Sequence, residues 1–596
     1  MTVNYADLIH EAFVAPLRSA TIIDDEYPTW EDWLGGHAAH GTNGKITDPK
    51  GKRRWESSEK IVKRIEQLRE RSLIVDIHDG GSESGRIQNY HHSDLVILDY
   101  QLDGQNGDGS RSMEIARRLL TENDHFNLIV LHTQQDDDRL ITPFVDLLTR
   151  LMRHPDAINQ KLIDQGEDLI AELELSERLQ SAFGPQHYAT ISAYGWAHFR
   201  TGLADGNLAE NHPIFAELTE IAAEQELTKQ QIAQLTAALC HKLNQKYRDH
   251  FAGNSAPGLT WSKGDNLWIK TNRGFIAFTS KKSKTNLIEV LLGALSNWQP
   301  TPSRLISGKI RNLLHAQGSQ LEDHFLQRDH VGWLFYRSLV EEGKQSTSPA
   351  VNSELSRQVE RYTDLIRDGI TEFGAKILES DAPADGGCDT RNGGMYSFSE
   401  AENDDAHDHY NCFVSCKPHT GLHLAPGKIL VDGEDYWVVV SPSCDLVPGQ
   451  KNSGGKTASY MKFTAARLHP KKNIVDVRSS AETGNFIFLK MQDEKVKAFS
   501  IYGAAEGSTG ERYLTQRAFL ADNEGRFHDS DGNLELIARF EVEHSVSKIL
   551  NFQRVDFVVH DQQLRYEYAL NLLSKVGAHA SRVGLDYRCP QKPPQE

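Results

Sequence analysis

Three carboxylates follow short apolar runs near the start of the chain. Asp24 and Asp25 close the β-branched run Arg18–Asp25, and Asp99 closes the apolar run Asp94–Asp99. Side chains at the carboxyl ends of neighbouring parallel strands converge at one edge of a sheet, so we expect these acids to lie close together. Clustered carboxylates repel one another, and a hard cation such as Mg²⁺ relieves that repulsion. The pattern predicts a metal-dependent phosphoryl-transfer site with Asp99 as the nucleophile.

A hydroxyl group follows a further apolar run. Thr133 closes the run Leu128–Thr133, where its hydroxyl could donate to phosphoryl oxygens. Any one of these polar residues is explained about equally well by a solvated loop at a strand end. Their joint order, with an acid pair after the first strand, one Asp after a third and a Thr after a fourth, favours a functional site.

The segment that carries these residues alternates apolar strands with helical patterns. Such alternation is typical of a parallel sheet built from β-α units. The remaining elements of this pattern are a helix within Ser57–Arg71, a strand at Ser72–Ile77, a loop at Gly104–Gly109 and a helix at Met113–Leu120. These elements would position the acids and the hydroxyl at a single sheet edge.

Three stretches of this segment resemble a known family. They are Ile-Ile-Asp-Asp-Glu at 22–26, Leu-Val-Ile-Leu-Asp-Tyr-Gln-Leu at 95–102 and Leu-Ile-Val-Leu-His-Thr at 128–133. They look like the receiver domains of two-component response regulators, and more particularly like a divergent "response receiver" family of large multidomain bacterial proteins. The resemblance covers about a quarter of the chain.

The resemblance implies an α/β flavodoxin-like receiver domain at the N-terminus, dependence on Mg²⁺ and phosphorylation by a histidine kinase. By position it places the phosphoacceptor at Asp99 and the switch hydroxyl at Thr133. It places the metal ligands at Asp24, Asp25, Asp99 and the backbone carbonyl of Gln101.

The sequence departs from this family at the lysine that receivers carry after a fifth strand. No strand followed by Lys occurs within the sixty residues after Thr133. Lys281 follows the apolar run Gly274–Ser280 and precedes the apolar helix Asn286–Trp298, which is the right context if 136–262 is an insertion. A solvated lysine in a basic turn is the alternative, and the domain would then be a pseudo-receiver.

The whole chain, at 596 residues, is longer than one hydrophobic core usually supports. We expect a multidomain α+β protein with a mainly helical middle region and a β-rich C-terminal module. The predicted parts are a receiver-like α/β domain at 1–135, completed by 264–300 if Lys281 belongs to it, a helical insertion or domain at 136–262, a helical region at 303–380, a loop or linker at 381–408 and a β-rich module with a terminal helix at 409–596.

A cluster of cysteine and histidine residues marks the start of the C-terminal module. Cys412, Cys416, His419 and His423 have side chains that suit Zn²⁺. No Cys-x-x-Cys pair occurs, and the two cysteines lie four apart in a predicted strand, where they would stand well separated. A structural zinc site is one hypothesis; buried cysteines and solvated loop histidines are the other.

Composition limits the classes of partner. The net charge of −18 and the isoelectric point near 5.8 argue against a general affinity for nucleic acid or anionic membranes. Six cysteines in so long a chain indicate a reducing compartment. The N-terminus lacks a secretory pattern and no run of eighteen apolar residues occurs, so we expect a cytoplasmic protein.

The favoured function is signalling or regulation in a bacterial two-component-like system, with an output through protein-protein contacts, because no basic recognition helix is apparent. The resemblance adds a partner ATPase of the histidine-kinase or heat-shock type, and a role in stress or anti-phage defence. One alternative is an enzyme, a hydrolase or nuclease with a regulatory receiver. Another is an assembly scaffold with a pseudo-receiver. The oligomeric state is left open.

Overall fold

The computed structural model of the chain divides into two compact units, one of Met1–Asn312 with Ile370–Pro383 and one of Leu313–Gly369 with Ala384–Glu596. The residues that the structure describes are 3–40, 46–47, 55–80, 90, 92–102, 108–122, 125–134, 140–153, 159–174, 178–179, 182–184, 187–188, 190–191, 213–262, 266–283, 285–326, 330, 332–334, 336–337, 340, 347–380, 403–448, 460–504, 512–528, 533–541 and 551–580.

The first unit is built on a seven-stranded sheet in the order β4-β1-β5-β6-β9-β8-β7. Pairings from β4 through β9 are parallel, while β8 and β7 extend the sheet with antiparallel pairings. A separate hairpin pairs β2 with β3. The strands are β1 Ser19–Ile23, β2 Ala39–His40, β3 Ile46–Thr47, β4 Ile74–His78, β5 Leu95–Asp99, β6 Asn127–Thr133, β7 Thr260–Ser262, β8 Trp268–Lys270 and β9 Gly274–Ser280.

The apolar runs form strands because helices cover both faces of the central sheet. Every residue of β5, β6 and β9 is buried, as expected for strands packed on both sides, whereas the edge strand β4 alternates between exposed and buried residues. The hydrophobic core on one face of this sheet contains Val96, Leu98, Met113, Ile129 and Phe144. The parallel strands follow the flavodoxin-like order, with the fifth of them supplied by β9.

Helices connect and cover these strands. A second apolar cluster, which includes Leu169, Phe215 and Leu235, forms among the helices between β6 and β7. The α-helices of this part are Tyr5–Ile9, Trp30–Leu34, Ser58–Arg69, Ser110–Thr121, Ile141–Arg150, Gln160–Glu172, Ala216–Glu224, Lys229–Tyr247 and Leu287–Trp298. Two long helices, Pro302–Leu326 and Thr347–Glu379, follow them in the chain.

The second unit contains an antiparallel sheet that closes on itself. Its strands run in the order β12-β11-β20-β19-β18-β13, and β13 also pairs with β12. The hairpin of β14 and β15 joins the end of β13, and β10 pairs with β20. The strands are β10 Cys416–Pro418, β11 Lys428–Asp432, β12 Asp435–Val439, β13 Met461–Pro470, β14 Phe486–Lys490, β15 Val496–Ser500, β16 Gly503–Ala504, β17 Arg512–Tyr513, β18 Gln516–Ala521, β19 Asn533–Glu541 and β20 Asn551–Leu564.

Alternating side chains of this closed sheet enter two cores. One core contains Trp437, Phe463 and Phe519, with the Phe519 ring 5.4 Å from each of the other two. The other core lies against the helices Asn403–Ser415 and Tyr566–Ala580. The α/β sheet, the helical middle region and the strand-rich C-terminal part confirm the predicted fold class.

Some predicted elements differ from the structure. A helix occupies Asn403–Ser415, where a linker was expected up to residue 408 and a strand around Cys412. The predicted terminal helix spans Tyr566–Ala580 and follows β20, which continues to Leu564. Residues 381–402 of the predicted linker, and 104–107 of the predicted loop, lie outside the described residues. Among the helices described, none combines the length and the apolar character needed to cross a membrane.

Candidate functional site

The ends of four parallel strands place polar side chains at one edge of the first sheet. Asp24 follows β1, Asp99 ends β5, Thr133 ends β6 and Lys281 follows β9. The backbone N–H of Lys281 donates to the carbonyl of Thr133 at 2.7 Å, which extends the pairing of β6 and β9 into the site. The pairing of β9 with β6 therefore places Lys281 beside Asp24 and Asp99, although a long helical region separates the two strands in the sequence.

Lys281 binds the acidic side chains directly. Its Nζ lies 3.1 Å from Oδ2 of Asp24, 3.1 Å from Oδ1 of Asp99 and 3.5 Å from Oε2 of Glu26. Oδ1 of Asp24 accepts the backbone N–H of Glu26 at 2.9 Å. Asp24 and Asp99 are both buried, so the ammonium is the nearby cation that compensates their charge.

A histidine completes this group, and the sequence alone did not single it out. His132 lies within β6 and pairs in register with Asp99. Its Nε2 lies 3.9 Å from Oδ2 of Asp24. Among the described residues, Asp24, Asp99 and His132 form the one group of three potential metal ligands whose ligand atoms all lie within 4.8 Å of one another. The signal that could have found it is a polar residue inside an otherwise apolar buried strand.

The ionisation of the site reflects burial and charge. Burial and the Asp24 carboxylate raise the pKa of Asp99 to about 7, against the opposing effect of the Lys281 ammonium. Burial also raises the pKa of Asp24, although Lys281 again opposes it. Burial disfavours the charged form of Lys281, but Asp24 and Asp99 outweigh this and raise its pKa above the usual range. Burial lowers the pKa of His132 well below its usual range.

The other predicted site residues lie near this group. Asp25 follows Asp24 and contributes a negative charge that raises the pKa of Asp99, but its carboxylate is not part of the convergent group of three. Gln101 is partly exposed and lies two residues beyond Asp99. Thr133 is fully buried at the end of β6. Their roles as metal ligands and switch hydroxyl stay predictions.

The segment after Asp99 is held by close packing. Gly109 has a φ of +75°, and a Cβ there would lie 2.3 Å from the ring of Tyr100. The hydroxyl of Ser112 donates to the carbonyl of Tyr100 at 2.8 Å. A glycine at 109 is thus required both by the left-handed backbone and by the ring of the residue next to Asp99.

The structure does not support zinc at the cysteine and histidine cluster. Cys412 lies near the end of a helix and Cys416 begins β10, with its thiol 3.4 Å from the carbonyl of Phe488. Nδ1 of His419 contacts the Nζ of Lys428. The thiols of Cys412 and Cys416 form a hydrogen bond with each other, so the expectation that they stand well separated is wrong. In the described part of the chain, Cys412, Cys416, His419 and His423 nevertheless do not form a group with metal-ligand geometry.

Comparison with known proteins adds a family for the N-terminal part. Residues 16–180 match the sequence model of a family described as the response receiver domain. No curated protein and no solved structure matches the chain. The match shows a response-regulator receiver domain, and this domain supports a signalling or regulatory role in a two-component-like system. Lys281 lies beyond the matched residues, and its place at the site comes from the pairing of β6 with β9.

Proposed function

We propose that Asp99 is a phosphoacceptor, that Mg²⁺ assists the transfer, and that the phosphorylated receiver acts through protein-protein contacts. The observation that carries this proposal is the 3.1 Å contact between Nζ of Lys281 and Oδ1 of Asp99. A buried carboxylate at the end of β5, paired with a lysine from the end of β9 two strands away, has the composition needed to accept and hold a phosphoryl group.

The residues present fit a divalent cation. Asp24 and Asp99 are buried carboxylates beside Asp25 and Glu26, and one lysine leaves negative charge in excess. Bound there, Mg²⁺ would lower the charge barrier between an anionic donor and an anionic acceptor. Asp24 and Asp25 would hold it, together with Asp99 and the backbone carbonyl of Gln101.

The protein groups have separate tasks in the transfer. A carboxylate oxygen of Asp99 attacks the phosphorus of a donor such as acetyl phosphate, and the bond from phosphorus to the leaving acetate breaks. The ammonium of Lys281 then stabilises the new phosphoryl oxygens, since it already lies against Asp99. Thr133, at the end of the neighbouring strand, would donate its hydroxyl to the same oxygens.

The phosphoryl group would act by changing a surface. A dianionic group that orders Thr133 and Lys281 biases the loops after β6 and β9 toward one arrangement. A partner that binds one arrangement of these loops better than the other would therefore bind the phosphorylated and unphosphorylated proteins with different affinities. The partner we propose, from the resemblance alone, is an ATPase of the histidine-kinase or heat-shock type in the bacterial cytoplasm, in a stress or anti-phage response.

Beryllofluoride, which mimics a phosphoryl group, tests this site without turnover. With Mg²⁺, we expect it to slow hydrogen exchange in peptides that contain Asp24, Asp99, Thr133 and Lys281 in the wild-type chain. Asp99→Asn keeps the side-chain shape and removes the acceptor carboxylate, so we expect no such change in that variant. Equal exchange with and without beryllofluoride in the wild-type protein would indicate a pseudo-receiver.

A further inference from the structure

His132 is an unusual residue for the interior of a central parallel strand. Its side chain is buried, and its neighbours in β6 are Leu131 and Thr133. Among the residues that the structure describes, neither Nδ1 nor Nε2 has a hydrogen-bond partner. A buried polar group without a partner is unfavourable in a folded protein, and such groups call for an explanation such as a ligand or an ion.

The register of β6 places the His132 side chain beside the carboxylates of Asp24 and Asp99. Asp99 and His132 are paired in register, and Ile23, which precedes Asp24, is paired with Leu98, which precedes Asp99. Asp24, Asp99 and His132 therefore lie in one row across three adjacent strands. Their ligand atoms lie within 4.8 Å of one another, with Nε2 of His132 at 3.9 Å from Oδ2 of Asp24.

We propose that this site binds a divalent first-row transition ion in preference to Mg²⁺, with His132 as a nitrogen ligand beside Asp24 and Asp99. The proposal rests on the acidic metal site of the proposed function and changes its preferred metal. Oxygen-only sites suit Mg²⁺, whereas an imidazole nitrogen favours later first-row ions such as Co²⁺, Ni²⁺ or Zn²⁺. Coordination would also give the buried imidazole the partner that it lacks.

Metal affinity of the full-length protein is the first test, with Mg²⁺, Mn²⁺ and Co²⁺ titrated separately by calorimetry. His132→Leu removes the nitrogen ligand and keeps an apolar side chain in a buried strand. His92→Leu is the matched control, because His92 is exposed and precedes β5, at the end of that strand opposite to Asp99. We expect wild type and His92→Leu to bind Co²⁺ more tightly than Mg²⁺, and His132→Leu to lose about 10-fold or more of that preference.

Pulsed electron paramagnetic resonance of bound Mn²⁺ tests the bond itself, and its wild-type result does not depend on whether a variant folds. In wild-type protein we expect nitrogen modulation from a directly bound imidazole. The modulation should persist in His92→Leu and disappear in His132→Leu. Absence of nitrogen modulation in wild type, or an equal metal preference in wild type and His132→Leu, would overturn the proposal.

Measuring phosphoryl incorporation at Asp99 together with nitrogen coupling to Mn²⁺ shows whether the role of His132 or the phosphoacceptor role of Asp99 fails. Incorporation of a phosphoryl group at Asp99 with Mg²⁺, together with Mn²⁺ that shows no nitrogen coupling, would leave the receiver function standing and overturn the role of His132. Nitrogen coupling without any phosphoryl incorporation would support His132 as a ligand and overturn the phosphoacceptor role of Asp99.

Discussion

Lys281 and Asp24 are 257 positions apart in the chain, and Nζ of the lysine lies 3.1 Å from Oδ2 of the aspartate. The contact exists because β9 pairs with β6 after a helical insertion that has an apolar cluster of its own. The site therefore depends on correct pairing of a distant strand as well as on the local strand ends near Asp24 and Asp99.

Replacement of Lys281 should weaken both the site and the fold. Lys281→Met leaves two buried carboxylates without the ammonium, so we expect a loss of about 3 kcal/mol in the free energy of unfolding at pH 8. Burial holds the pKa of Asp99 near 7 even with the lysine present, and its removal raises that pKa further. The loss therefore grows as the pH rises from about 7 toward the higher pKa that Asp99 has in the variant, and it is small at pH 5, where Asp99 is protonated in both folded proteins.

Denaturant unfolding at several pH values measures this effect. Lys282→Met is the matched control, because Lys282 is the exposed neighbour. Equal stability of the two variants across the pH range would show that Lys281 does not compensate the buried acids.

Gly109→Ala should destabilise the receiver. An alanine there would adopt a left-handed backbone, and its Cβ would collide with the ring of Tyr100. We expect a loss of about 1–2 kcal/mol from the backbone alone. Gly374→Ala is the control, since no atom of the described residues lies within 4 Å of a Cβ at that helical position. Thermal denaturation that ranks the two variants equally would argue against the packing described around Tyr100.

Much of the site follows from local sequence. Asp24, Asp99 and Thr133 each end an apolar run, and the ends of parallel strands meet by geometry alone. Lys281 needed the further assumption of an insertion, because its strand follows the helical region. His132 was missed because one histidine in an apolar run has no local partner. Its significance depends on the register that pairs it with Asp99.

The cysteine and histidine cluster shows why sequence proximity is a weak guide. A helix ends and a strand begins between Cys412 and Cys416, whose thiols form a hydrogen bond with each other. His419 lies farther on and contacts Lys428. Nothing in residue spacing alone predicts this division among elements.

The buried amine of Lys428 should make stability depend on pH. Burial lowers its pKa to about 7, and its Nζ contacts Nδ1 of His419 and the carbonyl of Thr420 without an acidic partner among those contacts. Between pH 7 and the ordinary lysine value the unfolded chain binds more protons at this group, so its contribution to stability rises with pH. We expect wild-type stability relative to Lys428→Met to increase from pH 7 to pH 10.

Unfolding midpoints at pH 7, 8.5 and 10 measure that dependence. Lys462→Met is the control, because Lys462 is exposed in β13. A difference between wild type and Lys428→Met that stays constant over this range would contradict the lowered pKa.

Arg478 should stabilise the second unit through a bidentate salt bridge to Asp408. Its Nε and Nη2 lie 3.0 and 2.7 Å from the carboxylate oxygens of buried Asp408. Arg478→Met would leave that carboxylate buried without a cation, at a cost of about 3 kcal/mol. Arg554→Met, at an exposed pair with Asp556, should have little effect. Calorimetric unfolding that shows equal effects would count against this ion pair.

The central claim is that Asp99 accepts a phosphoryl group, and intact-protein mass spectrometry after incubation with acetyl phosphate and Mg²⁺ tests it most directly. We expect wild-type protein to gain the mass of one phosphoryl group, Asp99→Asn to gain none, and Asp24→Asn to gain much less. Fragmentation should place the added mass on Asp99. Unmodified wild-type protein that binds Mg²⁺, or equal labelling of wild type and Asp99→Asn, would contradict the account.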